Sequence, residues 1–204
     1  MTSIPSVSDP AAWWRAHGFA IPTVALCGDL DTESTPRGRE QLAGWVDDGI
    51  TDIIDVRSEW SDEDFVAIHA PGVRYHWLGV DDNGQAQPDE WFEAGLAAAQ
   101  LAFENPSGRV LVHCHMGVNR GPSMAFAILL ALGHDPVAAL EAIRSARPIA
   151  AILYAEDALS WWHRRNGTPE TIAFAERRRV RAWLRSNAVD VGWIISRIRR
   201  AEAS

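Results

Sequence analysis

The stretch Arg109-Val-Leu-Val-His-Cys-His-Met-Gly-Val-Asn-Arg-Gly-Pro-Ser123 restricts the fold more than any other part of this chain. Val110-Leu111-Val112 reads as a buried strand. A loop containing Gly117 follows, and Pro122 opens an apolar helix that runs to about Leu132. A strand delivered through a tight loop into a helix is half of a parallel crossover, and such crossovers require a sheet covered by helices. The rest of the pattern agrees. Segments 23–27, 51–56 and 73–80 read as strands. Segments 40–48, 88–103 and 155–165 read as helices, as does the segment opened by Asp135-Pro136. Pro88 with Asp89 and Glu90, and Asp135 before Pro136, suit helix N-termini. Residues 1–20, with Pro5, Pro10 and Gly18, read as irregular, with Trp13 and Trp14 packed onto the domain. The fold class expected is α/β, a central and mainly parallel sheet flanked by helices.

The loop from Cys114 to Arg120 also carries the chemistry. Backbone N–H groups of a tight loop at a helix N-terminus converge on one point, where the helix dipole favours negative charge. Arg120 can add a bidentate contact to two oxygens of a phosphate. The field that attracts phosphate also favours thiolate, and a thiolate beneath a phosphate is positioned for in-line attack on phosphorus. The plain alternative is a structural cysteine beside a glycine turn. The strand-end position, His113, the five-residue gap and Arg120 before a helix all argue for the site.

These residues resemble a known family. His113-Cys114-x5-Arg120 matches the signature of the cysteine-dependent protein phosphatases, and the Met-Gly-Val run with the following Pro-Ser is most similar to the dual-specificity phosphatases. The similarity extends from about Thr23 to Arg165, taking in residues 49–55, the strand before Asp81-Asp82, and Arg147-Pro148. The resemblance implies a protein tyrosine phosphatase-like fold and a metal-independent phosphomonoester hydrolase working through a phosphocysteine intermediate. It implies Cys114 as nucleophile, and Arg120 with the loop His115, Met116, Gly117, Val118 and Asn119 as the phosphate cradle. It places the general acid in the loop after Val80, with Asp82 favoured over Asp81. It puts His113, Ser123 and Arg147 in a layer behind the cradle, Arg147 matching a family arginine near the rim of the site; Arg147 reads equally well as a solvated helix-end arginine. The family has Ser or Thr directly after the signature arginine, where its hydroxyl helps sulfur leave. This chain has Gly121, with Ser123 two residues further on. Ala151-Ile152 stands where the family has a Pro-Asn pattern. A protein tyrosine, serine or threonine phosphatase is the leading reading, since Met116, Val118 and Asn119 are uncharged. The alternatives are a phosphate-binding pseudophosphatase with slow turnover, and a phosphatase of inositol phosphates, RNA 5′ ends or another small ester.

Charge divides the chain. The 204 residues carry a net charge of −8, and every basic residue other than histidine is arginine. Residues 167–204 hold eight Arg against four acids, whereas residues 1–166 hold 11 Arg against 23 acids. The expected division is a catalytic domain over 1–166 and an Arg-rich helical extension over 167–204. The extension's Val191, Ile194, Ile195 and Ile198 follow helical spacing. It can pack on the acidic domain, mediate self-association, or attract an acidic partner or lipid surface. The acidic balance argues against nucleic acid as partner, and no apolar run reaches a membrane span. The stretch 19–27 is broken by Pro22 and lacks a basic leader, so no signal peptide is expected. Two distant cysteines suit a reduced, cytoplasmic setting. The seven His show no metal-ligand spacing, and no cofactor or metal is expected. Asp55 and Arg57 read as a sheet-end salt bridge, Cys27 as inert core, and Trp77 and Trp91 as core or rim packing.

Overall fold

A computed structural model describes residues 9–203, so Pro5 and the expectation for residues 1–8 lie outside the described residues. A five-stranded sheet has the order β1-β2-β5-β3-β4. Its strands are β1 (Gly18–Ile21), β2 (Val24–Cys27), β3 (Asp52–Arg57), β4 (Arg74–Val80) and β5 (Val110–His113). All neighbours are parallel except β1, which runs antiparallel to β2 at one edge. Every residue of β2, β3 and β5 is buried, as expected for central parallel strands covered on both faces.

On one face lie α4 (Asp89–Phe103), α5 (Arg120–Ala131), α6 (Pro136–Ala146) and α7 (Ala155–Asn166). They bury Phe92, Phe126, Leu140 and Trp161 in the larger core. The other face holds α2 (Thr35–Asp47) and α3 (Glu63–His69), with Leu42, Trp45 and Val66 inward. Asp135 caps α6 by accepting from the amides of Val137 and Ala138. Two expectations need correction. The segment read as irregular contains the short helix α1 (Pro10–Trp13) and strand β1. The seven-residue α3, which the sequence reading missed, is too short to display a helical period.

Gly167, at φ +58°, ends α7. The chain then forms α8 (Glu170–Ser186) and α9 (Val191–Glu202). Val180 of α8 enters the larger core. Ion pairs Arg179–Asp135, Arg181–Glu156 and Arg197–Asp9 tie these helices to acids of the preceding chain. Ile194 and Ile198 of α9 are buried with Trp14, Val118, Ile149 and Ala151. Half of the isoleucine stripe is thus covered within the chain. Among the described residues, no helix is long and apolar enough to cross a membrane. The loops after β3, β4 and β5 share the carboxyl edge of the parallel strands, where open α/β sheets place their ligand sites.

Candidate active site

Cys114 follows β5 directly, and the loop 114–119 ends at Arg120, the first residue of α5. The carbonyls of four successive loop residues each accept a hydrogen bond. His115 O accepts from Trp14 Nε1 (3.2 Å). Met116 O and Gly117 O accept from Arg147 Nη2 (2.9 Å) and Nε (2.5 Å). Val118 O accepts from the Ala151 amide (2.7 Å). In a trans peptide each carbonyl is opposed to the next residue's N–H. Fixing these carbonyls against the protein turns the amides of residues 116–119 the other way, towards the hollow above Cys114. Among the described residues, no backbone hydrogen bond ties down those amides. This is the nest of donors that an oxyanion requires.

Arg147 is the strut under the loop. It is 1% exposed, so neither the rim position nor the solvated helix-end reading describes it. Its guanidinium also donates to Ala16 O and Trp14 O. Burial pulls its pKa below the ordinary arginine value, while Cys27 and Cys114 oppose that fall. Gly117 sits at φ +62°, and a Cβ there would lie 2.2 Å from Arg147 Nη2, so this close approach admits only glycine.

Arg120 is 3% exposed and lies beside Cys114 and Asp82 in an open cleft of about 750 Å³. Glu59, in the loop after β3, takes both terminal nitrogens of Arg120 at 2.8 and 2.7 Å. Burial would lower the Arg120 pKa, but Glu59, Cys114 and Asp82 together hold it above the ordinary value. Arg120 Nε is buried and has no hydrogen-bond partner among the described residues; it lies 3.7 Å from Asp82 Oδ2.

The two aspartates after β4 part company. Asp81 accepts from Ser58 Oγ (2.8 Å). Asp82 lines the cleft, where its Oδ1 accepts from Asn119 Nδ2 (2.7 Å) and Tyr154 Oη (2.8 Å). Asn119 Oδ1 in turn accepts from the Leu153 amide and Ser123 Oγ, and the Tyr154 amide donates to Ser123 Oγ. Ser123 therefore braces the 153–154 segment. At position 121, a Cβ would stand 3.3 Å from the Cys114 amide nitrogen. Ile152 adopts φ +57° within the same bracing segment. Asn tolerates that conformation far better than a β-branched residue.

His113 is fully buried behind Cys114, and burial pushes its pKa down to about 4. Beside it, Arg57 pairs with Asp29, Asp55 and Asp62. Three carboxylates around one guanidinium cannot all stay charged cheaply. Burial opposes charge on Asp55, yet His113 and Arg57 outweigh it and hold that carboxyl below its usual value. Asp29 is pushed up to about 8, with burial the largest cause. Asp55, Asp62 and His113 bring ligand atoms within 4.8 Å of one another. Arg57 already pairs with both of those carboxylates, so a guanidinium supplies the positive charge there. Cys27 is buried in β2, where burial raises its thiol to about 12, which suits inert core. Trp91 is buried, and Trp77 donates its indole N–H to Arg57 O.

The sequence reading missed Glu59 and Tyr154, and it did not connect Trp14 or the α9 stripe with the loop. Only Glu59 left a trace, as an acid two residues beyond a strand end.

No family model matches the chain. It is 30% identical over 83 residues to human dual specificity protein phosphatase 2, covering 40% of this chain and 24% of that protein. It is 26% identical over 127 residues to rat dual specificity protein phosphatase 26, covering 62% and 56%. The chain thus matches between about a quarter and about half of these relatives' length. Among solved structures, PTPMT1 in complex with PI(5)P superposes with TM-score 0.61 at 19% identity, covering 76% of this chain and 97% of that one. Human DUSP28 gives 0.59 at 21%, covering 74% and 99%. A human tyrosine phosphatase-like serine/threonine/tyrosine-interacting protein gives 0.57 at 18%, covering 72% and 95%. The fold is that of the dual-specificity phosphatase-like cysteine phosphatases.

Proposed function

We propose that the chain hydrolyses phosphomonoesters through Cys114. The Cys114 thiolate attacks phosphorus, and the ester P–O bond breaks. Asp82 gives its proton to the departing oxygen. Water then attacks the phosphocysteine, Asp82 takes a proton from it, and inorganic phosphate leaves with the thiolate restored. Arg120 and the loop amides hold the phosphoryl oxygens throughout. The observation that carries this reading is the outward fixing of four loop carbonyls, which aims successive amides at the space above sulfur. The dual-specificity phosphatase relatives support it. A phosphorylated protein is the substrate class we favour, because Met116, Val118 and Asn119 add no charge to the loop. We assign catalysis to residues 1–166, the Arg-rich extension to residues 167–204, and the protein to the cytoplasm. Cys114→Ser is expected to abolish turnover of an aryl phosphate while keeping the wild-type melting temperature. Chelator is expected to leave the wild-type rate alone. Turnover surviving in that variant defeats the nucleophile assignment.

A second reading, capture of phosphate with slow release, draws on one observation. Gly121 offers no hydroxyl, and Ser123 Oγ is engaged with Asn119 and Tyr154. One equivalent of phenol followed by a near-stalled steady state favours it. Rapid multiple turnovers exclude it.

A further inference from the structure

The C-terminal helix α9 reaches the mouth of the cleft. Ile194 and Ile198 bury themselves against Val118 of the phosphate loop, and the neighbouring Val191, Ile195 and Arg199 line the cleft that contains Cys114. At the end of α9, Glu202 meets Nε2 of His115, another loop residue, at 2.9 Å. The helix therefore supplies one wall of the site from outside the segment in which the signature lies.

Arg199 differs from the other charged groups of this cleft. Arg120 is held by Glu59, Asp82 by Asn119 and Tyr154, and Asp157 accepts from the Gln87 amide. Arg199 is exposed; its backbone carbonyl accepts from the Ala203 amide, but among the described residues no side chain or carbonyl pairs with its guanidinium. Two other charged residues of the helix are paired, Arg197 with the Asp9 carboxylate and Glu202 with the His115 imidazole. A guanidinium without an acid among the described residues, beside a cradle already suited to one phosphate, is a fork for a second anion. Val191 and Ile195 give the same wall an apolar face that can take an aryl ring or carbon frame.

We infer that Arg199 is a specificity-determining residue that selects phosphomonoesters carrying a second anionic group, phosphate or carboxylate, beside an apolar body. This rests on the proposed phosphatase reading for the place of the first phosphate. The shared chemistry admits an acidic or doubly phosphorylated peptide and a small polyphosphate ester alike.

The test uses the full chain carrying Cys114→Ser, so that binding is read without turnover. Calorimetry compares a phosphotyrosine peptide flanked by alanines with the same peptide flanked by glutamate or phosphothreonine. A second arm compares inositol monophosphate with inositol bisphosphate. In each arm we expect the more anionic probe to bind tighter, and Arg199→Ala to shrink that preference about five- to tenfold. Arg199→Lys is expected to restore part of it, as a point charge without the fork. The arm that shows the larger Arg199-dependent preference identifies the source of the anion. If neither arm's preference falls on Arg199→Ala, the inference is overturned. Turnover is measured separately on wild-type protein with the same probes. Hydrolysis without an Arg199-dependent preference sinks this inference and leaves the phosphatase reading standing. Arg199-dependent binding without hydrolysis does the reverse.

Discussion

The two sides of the loop 114–120 are built on opposite rules. On the outer side, four carbonyls meet Trp14, Arg147 and Ala151, and Arg147 gives its donors to backbone oxygens alone. On the inner side, among the described residues, the amides have no backbone acceptor and Arg120 Nε has no hydrogen-bond partner. Buried polar groups are ordinarily satisfied, so the contrast marks which side is scaffold and which is receptor. Rigidity outside is what allows unmatched donors inside to stay aimed at one point without collapsing onto each other.

That contrast can be attacked from either side. On the inner side, Asp82→Asn keeps the size and the acceptor oxygen that Asn119 and Tyr154 require, but removes the proton. The rate on alkyl phosphates is expected to fall about 10²- to 10⁴-fold, with a much smaller drop on p-nitrophenyl phosphate. Equal losses on both would remove Asp82 from the acid role. On the outer side, Arg147→Met leaves the carbonyls of Trp14, Ala16, Met116 and Gly117 without this donor. A loss of about 3–5 kcal/mol in unfolding free energy is expected from denaturant titration. A loss below about 1 kcal/mol would mean that the strut is dispensable. Gly121→Ser puts back a hydroxyl near sulfur. Its Cβ forces the Cys114 backbone to yield slightly, since the contact is 3.3 Å. We expect the steady-state rate after the burst to rise about tenfold, the worth of one hydrogen bond to a charged atom. An unchanged rate shows that intermediate breakdown does not depend on that hydroxyl.

The smallest effect concerns the charged cluster behind the loop. Asp29 holds its proton up to about 8 in the folded chain against an ordinary 3.8, so stability is lost as pH rises between those values. His113 does the opposite: folded it titrates near 4 against an ordinary 6.5, so stability grows as pH rises across that interval. The two slopes oppose each other between about 4 and 6.5, and above 6.5 the Asp29 decline is no longer opposed by His113. Denaturant midpoints should fall from pH 6.5 to 8, and Asp29→Asn should flatten that fall. A midpoint rising over this range would contradict the assignment.

How much of this was legible depended on sequence distance. The strand, Cys114, the loop and Arg120 lie within one short run, so their spacing carried the geometry. The parallel sheet followed from alternating local patterns, and the loop of Asp81 and Asp82 from its place between a strand and a helix start, with the preference for Asp82 implied by the family resemblance. The burial of Arg147 was left open because its partners, Trp14, Ala16, Met116 and Gly117, come from two distant segments, and nothing local distinguishes a buried arginine from a solvated one. β1 escaped because an edge strand of four half-buried residues has little apolar signature. The role of α9 was ambiguous because its stripe fits any apolar partner, and only the tertiary structure says that the partner is the loop itself.

The absence of lysine has a chemical corollary for this cleft. Arg120 and Arg199 are guanidinium groups, which keep their charge in any buffer a protein survives. Alkaline solution therefore has no ammonium to neutralise here. If activity declines at high pH, the cause must be sought among the acids, the histidines, the thiol or the substrate itself, and not in a guanidinium losing its charge.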